Sequence, residues 1–239
     1  MKLLISPKNV EEAVIVIESN VEYIDCKNPD EGSLGANFPW VINQIKNLIP
    51  SNSSQLLSAT IGDFPYLPGS ASLAALGAAV SGADIIKVGL KGPKSKEEGI
   101  KLMKQVVRAV KNYNHNKKIV VAGYADRKRI NTSPDILDIP LIAAESGSEI
   151  AMLDTYIKDD KGLFDFLSFE QLTEFKNKAK ELNLEVALAG NLKMESIPKI
   201  IEISPDIIGL RGLVCEGHDR KNGTIQKDLI EKLKKEISL

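Results

Sequence analysis

Tyr23-Ile24-Asp25-Cys26-Lys27-Asn28-Pro29-Asp30-Glu31-Gly32-Ser33-Leu34-Gly35-Ala36-Asn37 is an apolar run that carries an acid and an amine and then breaks at Pro29. Read as a strand, its period of two sets Tyr23, Asp25 and Lys27 on one face and Ile24 and Cys26 on the other. A carboxylate and an ammonium aimed the same way, just before a Pro/Gly loop, read as the lip of a site. After the loop, Pro39-Trp40-Val41-Ile42-Asn43-Gln44-Ile45-Lys46-Asn47-Leu48-Ile49 is amphipathic, with proline at a first helical turn. Strand, loop and helix make one unit, and the repetition of that unit decides the fold.

On the N-terminal side, Leu3-Leu4-Ile5 stops at Ser6-Pro7, and Asn9 caps a helical pattern beginning at Val10. On the C-terminal side come Leu56 to Ile61, a small-residue helix from Ser70 to Val80, a strand carrying Lys87, and a helix from Lys96 to about Tyr113. The strand Lys118 to Asp126 precedes a weaker helix, Asp135 to Ser146, kinked or interrupted by Pro140. Glu149 to Thr155 is the sixth strand, and Ser168-Phe169-Glu170-Gln171 forms a capping box opening a helix to Leu182. Glu185 to Gly190, a short helix through Ile197 to Ile201, Asp206 to Gly212 and a closing helix from about Ile225 to Ile237 complete the chain.

Eight strands alternate with eight helices, and each helix then serves as the crossover between parallel strands. Eight such units in 239 residues predict a single closed (β/α)8 TIM barrel spanning residues 1–239, within the α/β class. The alternative is an open doubly wound sheet, which wants a Gly-rich fingerprint after the first strand; Ser6-Pro7 stands there instead.

Hydrophobic residues make up 43% and charged residues 26%, so the chain can bury a full core and stay soluble. Lys+Arg 31 against Asp+Glu 32 gives a net charge of −1 with no basic block, which argues against a nucleic-acid partner. Aromatic content of 5% is too low for a base-stacking surface. Cys26 and Cys215 form no CxxC pair, so neither a disulfide framework nor a zinc knuckle is indicated. The N-terminus lacks a signal peptide's apolar region, and no apolar run approaches the roughly 18 residues of a membrane span. A cytoplasmic protein without a membrane partner is expected; a homo-oligomer is left open.

In a barrel the active site lies at the C-terminal ends of the strands. Asp25, Lys27, Asp63, Lys87, Asp126, Asp154 and Arg211 fall there by this register, with Lys158 just beyond Asp154. Singly, each could be a barrel-mouth salt bridge; two inward lysines are more than a structural network needs. An interior amine crowded by another ammonium loses its proton more readily and can attack a carbonyl, the chemistry of Schiff bases. Strands seven and eight end in Ala189-Gly190-Asn191 and Leu210-Arg211-Gly212, where barrels bind phosphate through backbone N–H groups. Gly190, Asn191 and Gly212 would approach the anion and Arg211 add charge; ordinary turn glycine is the competing reading. His115 and His218 lie in polar loops and are read as solvated, and without clustered His, Cys and carboxylates no metal or other cofactor is expected.

The seventeen-residue segment from Ile24 to Trp40, with Ser81-Gly82-Ala83-Asp84-Ile85-Ile86-Lys87-Val88-Gly89-Leu90, Ala122-Gly123-Tyr124-Ala125-Asp126 and Ala151-Met152-Leu153-Asp154-Thr155, resembles the (5-formylfuran-3-yl)methyl phosphate synthases of methanofuran biosynthesis. The likeness covers essentially the whole chain. It implies a barrel enzyme, a carbon-oxygen lyase acting on phosphates, that condenses two glyceraldehyde 3-phosphates into a furan aldehyde phosphate and releases phosphate and water. It further implies Lys27 as the Schiff-base lysine and Lys87 as the general acid/base, with Asp25, Asp154 and Lys158 as other charged positions of the pocket. The partner is then a small-molecule triose phosphate. The same stretch also spells Asp25-x-Lys27-x-x-Asp30, the acid-lysine-acid pattern of orotidine-phosphate-decarboxylase-like barrels, which work without a covalent intermediate. A non-enzymatic regulator that binds a phosphometabolite is the third reading.

Overall fold

The computed structural model describes residues 1–237. Its eight strands are β1 (Lys2–Ile5), β2 (Tyr23–Cys26), β3 (Leu56–Thr60), β4 (Ile85–Gly89), β5 (Lys118–Tyr124), β6 (Ile150–Asp154), β7 (Glu185–Leu188) and β8 (Ile207–Leu210). They pair in parallel and in sequence order, and β8 closes on β1 through Lys2 to Ile207 and Ile5 to Leu210. The chain is thus a closed (β/α)8 barrel, not an open sheet. Around it lie α1 (Val10–Glu18), α2 (Pro39–Leu48), α3 (Pro68–Val80), α4 (Lys96–Tyr113), α5 (Ile139–Ser146), α6 (Leu163–Phe166), α7 (Phe169–Glu181), α8 (Ile197–Ile203) and α9 (Lys227–Ile237). Among the described residues no helix is long and apolar enough to cross a membrane.

Local signals account for most helix starts. Asn9 accepts the Glu12 N–H, Ser95 accepts that of Glu98, and Ser168 with Gln171 closes the capping box, caps worth about 1 kcal/mol each. Two expectations need correction. Pro140 does not interrupt its helix: α5 begins at Ile139, so the proline sits in the first turn, where its missing N–H has no role. Asp135 instead caps a separate 3₁₀ turn, Ile136–Asp138. The short helix α6, in the loop after β6, is additional to the eight crossover helices.

Strand alternation divides the apolar residues into two layers. Ile24, Cys26, Ile86, Val88, Ala151 and Leu153 face the helices in the outer core, whereas Tyr23, Ile85, Val120, Ala122, Ile150 and Met152 fill the barrel interior. The interior's N-terminal end carries charge: Lys118 pairs with Glu185, and Lys2 reaches Tyr23 Oη at 3.1 Å. At the opposite end the loop after β2 folds back across the mouth. Asn28 N–H donates to the Gly35 carbonyl, Thr60 Oγ1 to the same carbonyl, and Ser33 Oγ to the Thr155 carbonyl at 2.9 Å. These ties drive Leu34, fully buried, down into the interior cluster, a burial worth about 1.5–3 kcal/mol.

Candidate active site

The inward register of the even strands delivers the charged groups. Asp25 lies on β2 with Lys27 one residue past its end, Lys87 lies on β4, and Asp154 is the last residue of β6. Lys87 Nζ donates to Asp25 Oδ1 at 2.7 Å, with both side chains 1% exposed, and Ser6 Oγ donates to Asp25 Oδ2 at 2.8 Å. Lys158, four residues beyond Asp154, donates to Asp154 Oδ1 at 2.6 Å, which also accepts the Thr155 N–H. Burial pushes both carboxyls up, yet the ammonium groups win: Lys87 and Lys27 hold Asp25 below the usual carboxylate range, and Lys158 and Lys27 do the same for Asp154.

Lys27 is the exception among the three lysines. It is 9% exposed, lines the cavity at the mouth, and its amine makes no hydrogen bond or ion pair with a described residue. Burial is the main cause that brings its pKa down to about 8; Asp25 opposes the drop, and Lys158 adds to it more than Lys87 does. Sequence alone points to crowding by Lys87 as the cause. In the structure Lys87 is already neutralised by Asp25, so loss of water around Lys27 counts for more than repulsion.

The ends of β7 and β8 form one wall of the same cavity, where Gly190, Asn191, Arg211 and Gly212 all line the surface. Gly190 has φ +107°, and a Cβ there would lie 3.0 Å from the Thr155 nitrogen, so only glycine fits this close approach. Asn191 follows in the left-handed region at φ 44°, its side-chain amide held by the Asp160 carbonyl at 3.1 Å. Arg211 is placed differently from a free clamp. Its Nε donates to the Arg220 carbonyl (2.9 Å), Nη1 to the Ser6 carbonyl (2.9 Å) and Glu12 Oε2 (2.6 Å), and Nη2 to Glu12 Oε1 (3.2 Å) and the Gly223 carbonyl (3.5 Å). All five N–H donors of its guanidinium are engaged. Arg211 contributes charge to the wall while its donors fasten β8's loop to α1 and β1.

The other strand-end acids hold loops. Asp126 accepts the N–H groups of Tyr156 and Ile157, at 2.6 and 2.9 Å, and so shapes the turn that presents Lys158. Asp63 accepts from Tyr124 Oη and from the Leu34 N–H, linking β5 to the loop over the mouth. Burial raises the Asp63 carboxyl above its ordinary value despite those two donors. Asp30, third member of the acid-lysine-acid pattern, is exposed on the 3₁₀ turn Pro29–Glu31 and makes no ion pair with a described residue.

Sequence reasoning passes over Ser6, Glu12 and Arg220. Ser6 could be found from its place one residue beyond β1, since every strand end faces the mouth. Glu12 sits on a helix with no local mark, and only the fold brings it to Arg211. Arg220 lies in a polar segment between β8 and α9 whose sole signal is its length of sixteen residues, 211–226.

A buried lysine without a partner among the described residues, beside two ion-paired ones at the C-terminal mouth of a (β/α)8 barrel, marks a polar pocket where barrel enzymes carry their active sites. The chain belongs to the 4-HFC-P synthase family, whose pattern matches residues 3–234. It is 53% identical over 234 residues to the (5-formylfuran-3-yl)methyl phosphate synthase of Methanocaldococcus jannaschii, covering 98% of each chain. It is 51% identical over 239 residues to the synthase of the same name from Methanosarcina acetivorans, covering 100% of each. Among solved structures, 3-hexulose-6-phosphate synthase superposes with a TM-score of 0.68 at 15% identity, covering 99% of each chain. Orotidine 5'-phosphate decarboxylase from Pyrococcus horikoshii OT3 superposes at 0.63 with 13% identity, again covering 99% of each. At those identities the likeness carries the fold alone.

Proposed function

We propose that this site makes (5-formylfuran-3-yl)methyl phosphate from two molecules of glyceraldehyde 3-phosphate, through a Schiff base on Lys27, for methanofuran biosynthesis. Membership of the family and the full-length likeness to synthases of that name support the overall reaction. The observation that supports the covalent mechanism is Lys27 itself: a buried amine without a partner whose pKa stands at about 8, so that an appreciable fraction is neutral near pH 7.

Neutral Lys27 attacks the carbonyl carbon of one triose phosphate, and water leaves as the imine forms. Lys87, held 2.7 Å from Asp25, exchanges a proton with the carbon next to the imine and so converts it to the enamine. The enamine expels the phosphate from the third carbon as inorganic phosphate, and that carbon then bonds to the ketone carbon of the second triose phosphate, isomerised from the aldehyde, whose oxygen takes up a proton. Closure of the second triose's terminal hydroxyl on the ketone beside the imine, loss of two waters to form the aromatic ring and hydrolysis of the imine return Lys27 and the furan. Asp154 and Lys158 form the opposite charged wall: Lys158 helps to lower the Lys27 pKa, and Asp154 restrains Lys158. Gly190, Asn191 and Gly212 offer backbone N–H groups to a phosphate, with Arg211 supplying positive charge behind them. No cofactor enters this sequence of steps.

Incubation with glyceraldehyde 3-phosphate, followed by mass spectrometry of the product, tests the reaction. Borohydride trapping with peptide mapping tests the mechanism, and an adduct on Lys87 in place of Lys27 would reverse the two roles.

A further inference from the structure

The barrel mouth holds two adjoining cavities. An inner one of about 30 Å³ lies against the ends of β6, β7 and β8, and an outer one of about 490 Å³ opens between the loops after β1, β2 and β8. They share Ser6, Lys27, Lys158, Arg211 and Arg220, so the lysine nucleophile faces both. The inner cavity is tight and walled by the Gly190–Asn191 and Gly212 backbone, which suits one phosphoryl end and leaves no space for a second triose.

We infer that the outer cavity is a second phosphate subsite, in which Arg220 and Lys221 hold the phosphate of the triose phosphate that adds to the imine. This rests on the reading that the site joins two triose phosphates. Charge carries the assignment. The outer wall presents Lys8, Lys27, Lys158, Arg211, Arg220 and Lys221 against one carboxylate, Asp30. Three of the six are engaged elsewhere: Lys8 and Arg211 by Glu12, and Lys158 by Asp154. Lys27 is the nucleophile. Arg220 and Lys221 remain, and neither side chain makes a hydrogen bond or ion pair with a described residue. Two uncompensated positive charges match a phosphate monoester, which carries about −1.5 to −2 near pH 7.

Arg220 is also partly buried, and a guanidinium withdrawn from water without a counter-ion is unfavourable unless an anion arrives. Burial pulls its pKa down, and Asp154 offsets this only in part. The loop is set in place before any ligand binds. Arg211 Nε holds the Arg220 carbonyl, and Asp219 Oδ1 accepts the Lys221 N–H at 2.8 Å. With its backbone fixed in advance, Arg220 has only its side chain to order when its paired donors meet a phosphate.

Equilibrium dialysis of radiolabelled glyceraldehyde 3-phosphate against the Lys27→Met protein tests this without any covalent step. Two molecules bound per chain are expected, falling to one when Arg220→Gln and Lys221→Gln are added, with circular dichroism confirming the fold. One molecule per chain in Lys27→Met alone, or two persisting in the triple variant, overturns the subsite. In the otherwise wild-type protein, Arg220→Gln should raise the half-saturating concentration for condensation by about tenfold or more, the loss of one charge-assisted contact, while the trapped adduct forms at substrate concentrations within about twofold of wild type. Parallel losses of adduct and condensation would place Arg220 on the first substrate and overturn the assignment. Absence of any trapped adduct in wild type would instead sink the Schiff-base reading, leaving the dialysis result to decide the subsite.

Discussion

Lys87 and Asp25 form a sealed ion pair: their charged atoms lie 2.7 Å apart, each side chain is 1% exposed, and the second Asp25 oxygen is taken by Ser6. The pair is therefore fixed in place beside Lys27, whose amine has no partner among the described residues. In the proposed mechanism one amine attacks and the other carries a proton, and an unpartnered amine beside an ion-paired one suits that division.

The rate of imine formation should rise with pH and reach half its plateau near pH 8, because the proposed mechanism takes neutral Lys27 as the attacking form. Stopped borohydride trapping across pH 6 to 10 checks this; a flat profile would remove Lys27's amine from the rate-determining step. The same shift has a stability consequence. A lysine lowered from 10.5 to about 8 destabilises the fold by on the order of 3 kcal/mol while it is charged, a cost fully present below pH 8 and relieved as pH rises from 8 towards 10.5. Lys27→Met should thus be more stable than wild type at pH 7, and the gap should close by about pH 10 in denaturant titrations.

Lys87→Met should still form the trapped adduct yet lose furan production by ~10²–10⁴-fold, as expected when a general acid/base is removed. It should also lose stability, by about 3–5 kcal/mol, since a buried carboxylate is left unpaired. Adding Asp25→Asn should recover much of that stability and none of the turnover. Urea unfolding of the two variants, alongside product assay, reads both effects, and wild-type turnover in Lys87→Met would make the residue a structural charge.

Arg211→Ala and Glu12→Gln should behave alike. The two side chains are 9% and 2% exposed; removing either breaks the buried pair, leaving Glu12 to Lys8 or Arg211 to its three carbonyls, at about 2–3 kcal/mol. Each should also raise the half-saturating substrate concentration more than it slows turnover, because the 211–223 segment loses its anchor. Arg211→Lys should not restore it, as one ammonium cannot meet five acceptors. A Glu12→Gln variant with unchanged substrate affinity would show that Arg211 acts on the ligand directly.

Gly190→Ala should cost about 1–3 kcal/mol, from a positive φ together with a methyl 3.0 Å from Thr155. Gly212→Ala would meet its nearest neighbour, the His218 carbonyl, at an ordinary 3.6 Å, and should leave the melting temperature nearly unchanged while raising KM by a methyl's obstruction of the phosphate wall. An unchanged KM in Gly212→Ala would take that backbone out of the anion site.

The barrel itself was legible in the chain. A period of two followed by a period of 3.6, repeated eight times, leaves parallel pairing as the only way to connect the units, and side-chain alternation along each strand is a local property of the backbone. Asp25, Lys27, Lys87 and Asp154 are therefore aimed at the mouth by strand alternation alone. Barrel stagger is not local. That Lys87 meets Asp25 across an intervening strand, sixty-two residues away, follows from how the closed sheet shears. That Arg211 spends its donors on Glu12, 199 residues off, and that Arg220 is left facing the cavity follow from where α1 and the last loop settle on the rim. Residue type and spacing determined which groups reach the mouth; burial and closure decided which of them are paired, which are free, and hence which can react.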